Sequence, residues 1–192
     1  MNTKVKRLVY QTNTDNCDEL YHILTLLPNL RFLKINGEGI CRYGIMAINN
    51  LKRLKHLKLL QGTSLLFKTL STQAVEIFEV HRFPDKYDEH LKLFAVNNPT
   101  IRELILWSDY GCMVAGSDLI FMATKLSNLT VLKVKTLLYT PGIIRLVCKH
   151  SRSLKSVQLY VTCKLSLCDY KFIDDNTQID FEVDYDLLQM YK

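Results

Sequence analysis

Aliphatic residues return along the chain as the triplet L-x-x-L-x-L, at intervals of about 25 residues. The seven triplets are Val5/Leu8/Tyr10, Leu30/Leu33/Ile35, Leu54/Leu57/Leu59, Val75/Phe78/Val80, Ile101/Leu104/Leu106, Leu129/Leu132/Val134 and Leu154/Val157/Leu159. Their first residues are separated by 25, 24, 21, 26, 28 and 25 positions. Nineteen of the 21 triplet positions are Leu, Ile or Val, which lifts the pattern above the accidental matches of a leucine-rich chain. The last two residues of each triplet stand one apart, the period of two expected of a strand with one buried face.

Helix signals fill the intervals. After Asp15, Asn16 or Cys17, the residues Leu20, Ile23, Leu24 and Leu27 follow i, i+3, i+4, i+7 spacing. Ser117 is placed to cap a helix carrying Leu119, Met122, Ala123 and Leu126. Thr140-Pro141 reads as N-cap and N1 ahead of Ile143, Ile144 and Val147. The 21-residue step leaves only positions 60–74 for its connection, which predicts a shortened helix or a distorted turn. The 28-residue step has room for a loop at Tyr110-Gly111-Cys112.

A strand, turn, helix, turn unit cannot bury its own apolar faces, so neighbouring units must stack. The expected fold is α/β: a solenoid of about seven repeats over residues 1–164, with a parallel concave sheet and convex helices, a leucine-rich-repeat horseshoe. After Tyr160 the helix period is lost, and residues 165–192 are set apart as an acidic C-terminal segment. There Ile179, Phe181, Val183 and Tyr185 alternate with Asp180, Glu182, Asp184 and Asp186, which predicts an acidic cap strand, with an acidic tail as the alternative.

Residues flanking the buried triplet positions face the concave surface in three columns. The first is Arg7, Phe32, His56, Ile77, Glu103, Val131 and Ser156, and the second is Val9, Lys34, Lys58, Glu79, Ile105, Lys133 and Gln158. The third is Gln11, Asn36, Leu60, His81, Trp107, Lys135 and Tyr160. From these columns Phe32, Lys34, His56, Lys58, Ile105, Trp107, Lys133, Lys135 and Tyr160 are the candidate binding residues. Aromatic and aliphatic anchors among cations, unusually exposed for a monomer, describe a protein-recognition surface.

Charge adds a direction. Residues 1–164 hold 23 Lys/Arg against 12 Asp/Glu, and residues 165–192 hold 2 against 7. The basic repeats point to an acidic protein partner. Binding of nucleic acid or another polyanion is the alternative, disfavoured because Glu79 and Glu103 share the same columns.

Chemistry is sparse. The five histidines lack metal-ligand spacing, the six cysteines form no C-x-x-C pair, and no G-x-S-x-G, P-loop or G-x-G-x-x-G occurs. The cysteines are expected to be reduced and mostly buried. No catalytic residue, metal site or cofactor is predicted, and the expected function is non-catalytic. No apolar run of membrane-spanning length is present. The start Met1-Asn2-Thr3-Lys4-Val5-Lys6-Arg7 lacks a signal-peptide core, so a cytoplasmic or nuclear location is expected.

The segment from Thr140 to Leu159, with its helix, cysteine and following L-x-x-L-x-L strand, resembles the repeats of F-box leucine-rich-repeat proteins. That variety has repeats of about 25 residues and no strict asparagine ladder. The likeness spans residues 5–160. It implies an adaptor that recognises substrates for a cullin-type ubiquitin ligase, with ligase subunits among its partners. The eighth position after each anchor, normally Asn or Cys, is Glu38, Gly62, Phe83, Asp109, Leu137 and Thr162 in the second to seventh repeats. No F-box is expected ahead of the repeats, so a truncated relative with only a structural role is a third expectation.

Overall fold

The computed structural model describes residues 4–11, 17–82, 88–107, 114–161 and 163–185. Its strands are β1 (Arg7–Tyr10), β2 (Phe32–Ile35), β3 (His56–Leu59), β4 (Ile77–Val80), β5 (Glu103–Trp107), β6 (Val114–Ala115), β7 (Val131–Leu138), β8 (Ser156–Val161) and β9 (Asp180–Tyr185). Its helices are α1 (Cys17–Thr25), α2 (Arg42–Asn49), α3 (Ser64–Thr69), α4 (Asp88–Asn97), α5 (Gly116–Lys125), α6 (Ile143–His150) and α7 (Leu167–Asp175). The class is α/β. The strands form one parallel sheet in the order β1-β2-β3-β4-β5-β7-β8-β9, with β6 paired to the far end of β7.

Triplet residues align across the sheet without a slip. The row Leu8, Leu33, Leu57, Phe78, Leu104, Leu132, Val157 and Phe181 crosses it from edge to edge, beside the row Tyr10, Ile35, Leu59, Val80, Leu106, Val134, Leu159 and Val183. From β2 to β8 both rows are buried against the helices. A one-residue slip in any repeat would turn its leucines away from that core, so burial itself holds the register. Among the described residues no helix packs on the opposite sheet face, and the side chains described there from β2 to β8 are half-buried.

The short step is met by a short helix. α3 has six residues, capped by Thr63, whose hydroxyl oxygen accepts the Leu66 N–H at 3.2 Å. Three aromatics fill the core there: Phe78 and Phe94 lie 4.3 Å apart between centroids, and Phe67 meets Phe94 edge-on at 5.7 Å. Gly62 admits this cluster, since a Cβ there would stand 2.6 Å from the Phe67 ring.

Several expectations are corrected. Ser117 lies inside α5, whose N-cap position is Ala115, and α6 begins at Ile143 behind Gly142 rather than at Thr140-Pro141. Gly142 takes φ +83°, a left-handed conformation that glycine adopts without strain, and its N–H donates to Asp169 Oδ2 at 2.8 Å. Helical structure also returns after Tyr160. Ser166 caps α7 while donating its hydroxyl to Asp169 Oδ2 at 2.6 Å, and the Tyr139 hydroxyl donates to the same oxygen. This buried polar network starts α7 where apolar periodicity is weak. Cys163 and Cys168 are exposed, not buried, since they lie at and before the start of α7. Asp15, Asn16 and the Tyr110-Gly111-Cys112 loop fall outside the described residues.

Candidate binding surface

All nine predicted residues lie on the open face, in the columns that the register defines. Phe32 stands beside His56, Lys34 beside Lys58, Ile105 beside Lys133, Trp107 beside Lys135, and Lys135 beside Tyr160. The expected exposure is corrected: Phe32, Ile105, Trp107 and Tyr160 are half-buried, because neighbouring strands stand close enough for each side chain to cover the next.

Contacts join them across the sheet. The Arg7 guanidinium lies over the Phe32 ring at 4.1 Å, and Phe32 meets His56 edge-on at 4.8 Å. His56 Nε2 is 3.6 Å from Glu79 Oε2. Glu79 Oε1 takes Lys58 Nζ at 2.6 Å and His81 Nε2 at 2.5 Å. The His81 ring stacks on Trp107 at 5.9 Å with 9° between planes. Lys135 of β7 lies 5.8 Å over Trp107, and the Tyr160 ring, one strand further on in β8, is 5.8 Å from the Trp107 ring. The Trp107 indole N–H is shielded from solvent and has no acceptor among the described residues.

Arg7, Glu79 and His81 are therefore part of this surface, although none was among the nine. Their column positions were legible; that they converge was not, because it depends on rotamers. Lys58 was expected to steer an acidic partner, yet its charge is met by Glu79. Lys34 and Lys133 have no ion-pair partner among the described residues. At the far end Asp180, Glu182 and Asp184 of β9 continue the three columns, so the face runs from cationic to acidic. Burial raises the pKa of the Tyr160 hydroxyl, and the carboxylates of Asp184 and Glu182 raise it further.

Burial would raise the Glu79 pKa, but His56, Lys58 and His81 more than reverse that and hold it at about 2, against an ordinary 4.5. A carboxylate with a lowered folded pKa contributes stability above its unfolded pKa, and loses it as pH falls toward the folded value. Glu79→Gln is thus expected to cost about 2–3 kcal/mol at neutral pH, from the size of the shift. The difference should shrink between pH 4.5 and about 2. Urea unfolding of both proteins across that range checks it; parallel stability curves would show that the cluster contributes no net stability.

No family model matches the chain, and no curated protein matches it. Among the described residues no group of three His, Cys, Asp or Glu could hold a metal ion, and no helix is long and apolar enough to cross a membrane.

Proposed function

We propose that this chain is a non-catalytic recognition module, a leucine-rich-repeat horseshoe that binds a protein through the concave face of its sheet. The observation that carries this reading is the aromatic and charged chain from Arg7 to Tyr160, which runs over seven strands with Trp107 near its centre. Half-buried, mutually packed aromatics lose little conformational freedom on binding, which makes them effective anchors. Lys34 and Lys133, without ion-pair partners among the described residues, favour an acidic surface.

The test uses the intact chain and Trp107→Asp as paired baits at near-physiological salt. A protein held by the first and lost by the second is expected. With purified components Trp107→Ala should weaken it by about 2 kcal/mol or more. An unchanged dissociation constant in a folded variant would remove Trp107 from the site. Cullin-ligase subunits among the captured proteins would extend the reading to the ubiquitin-ligase adaptor that the repeat resemblance implies.

One observation favours the polyanion reading instead. At the start of successive strands the carbonyls of Lys6, Arg31, Lys55, Glu76, Arg102 and Thr130 each accept two N–H groups from the next repeat, and that of Lys155 accepts the Asp180 N–H, which sets these residues in a row. Lys6, Arg31, Lys55, Arg102 and Lys155 are exposed cations along it, broken by Glu76, which binds Lys55. Capture that is nuclease-sensitive, equal on both baits and steeply lost with salt would replace the protein reading with this one.

A further inference from the structure

On the helix side of the molecule, away from the proposed recognition face, an open groove of about 480 Å³ runs between α6 and the segment from α7 to β9. Arg145, Lys149 and Arg152 line one wall, and Leu154, Phe172 and Ile179 supply apolar surface. The three cations follow i, i+4, i+7 spacing, which puts them on one face of α6 and its following turn. None has an ion-pair or hydrogen-bond partner among the described residues.

Among the described residues no carboxylate lines this groove. Its one thiol, Cys148, is pushed up to about 11 by burial and so adds no negative charge at neutral pH. Lys149 and Arg152 have an ordinary explanation, since cations at a helix C-terminus offset the helix dipole. Arg145 does not. It sits in the first turn of α6, where the same dipole disfavours a cation and where no acidic residue accompanies it.

We propose that the groove binds a small anion carrying two or more phosphoryl groups on an apolar or aromatic body. Guanidinium groups match phosphoryl oxygens two at a time, and the three cations spread along the helix suit a chain of phosphates better than a single one. The body lies on Phe172 and Ile179. The groove has a volume usual for small-molecule sites, on the order of 300–1,000 Å³.

Calorimetric titration of the full chain at low salt, with inorganic tripolyphosphate and separately with adenosine triphosphate, tests this. Both are expected to bind, the nucleotide more tightly because it adds a ring to stack on Phe172. Equal affinities would overturn the apolar half of the proposal and leave an inorganic polyphosphate site. Arg145→Gln with Arg152→Gln should weaken binding by about tenfold per cation, the scale of a charge-assisted hydrogen bond. Lys34→Gln with Lys133→Gln, on the opposite face, should leave it unchanged. Absence of heat with either probe, or an equal loss in the two double variants, would overturn the site. Should the arginine pair fail to fold, Lys149→Gln makes the same comparison alone.

Discussion

Phe94→Ala is expected to destabilise the protein by about 3–5 kcal/mol, the usual cost of removing a fully buried phenylalanine. The magnitude follows from what surrounds it. Phe94 projects from α4 into the repeat whose helix is shortest, and it makes the two closest ring contacts of an aromatic trio in which all three rings meet. All three rings are fully buried. A six-residue helix covers less of the sheet than its eight- to ten-residue neighbours, so bulk must come from side chains. Phe67, Phe78 and Phe94 supply it. Without Phe94, Phe78 loses its nearest ring and a cavity is left in the core. Urea unfolding followed by circular dichroism gives the number, with exposed Leu93→Ala as a near-neutral control from the same helix. A loss below about 1 kcal/mol would mean that the trio relaxes to fill the cavity.

The short repeat also marks where sequence reading succeeds and stops. Triplet spacing alone reduced the connection at α3 to a shortened helix or a distorted turn, and put each of the nine candidate residues on the open face. Strand side chains alternate strictly, so one buried leucine orients its neighbours. Helix starts were less legible. Ser117 and Thr140 have the chemistry of caps, but the chain enters α5 and α6 through Ala115 and Gly142, because backbone conformation before the helix decides the cap. α7 escaped for a related reason: a buried aspartate held by Tyr139, Gly142 and Ser166 begins it, and those partners are up to 30 positions distant. Glu79 illustrates the same limit at the candidate site. Read as a column position it argued only against polyanion binding, whereas in three dimensions it organises Lys58, His81 and His56.

Asn98→Leu is expected to cost about 3–4 kcal/mol, because it would leave several buried backbone groups unpaired at once. The chain after α3 runs without regular structure before β4, so its backbone polar groups need partners outside the helices and strands. Two asparagines supply them from opposite sides. Asn49, at the end of α2, donates to the Thr69 carbonyl at 3.0 Å and accepts the Ser71 N–H at 2.9 Å. Asn98, just past α4, donates to the Leu70 carbonyl at 2.9 Å and accepts both the N–H and the hydroxyl of Thr72 at 2.8 Å. Its second amide hydrogen reaches the Phe94 carbonyl at 2.8 Å, which ties the end of α4 to the same strip. Alternate residues of one short segment are thus bound by alternate neighbours. Asn98 is fully buried, so water cannot replace it, and leucine keeps the volume while removing every hydrogen bond. Asn49 is only half-buried, and Asn49→Ala should cost about 1 kcal/mol because solvent takes over its partners. The comparison is the test, measured by urea unfolding of both variants. Equal losses would show that bridging the segment matters and burial does not, while a small loss at Asn98 would mean that the short repeat holds its backbone by other contacts.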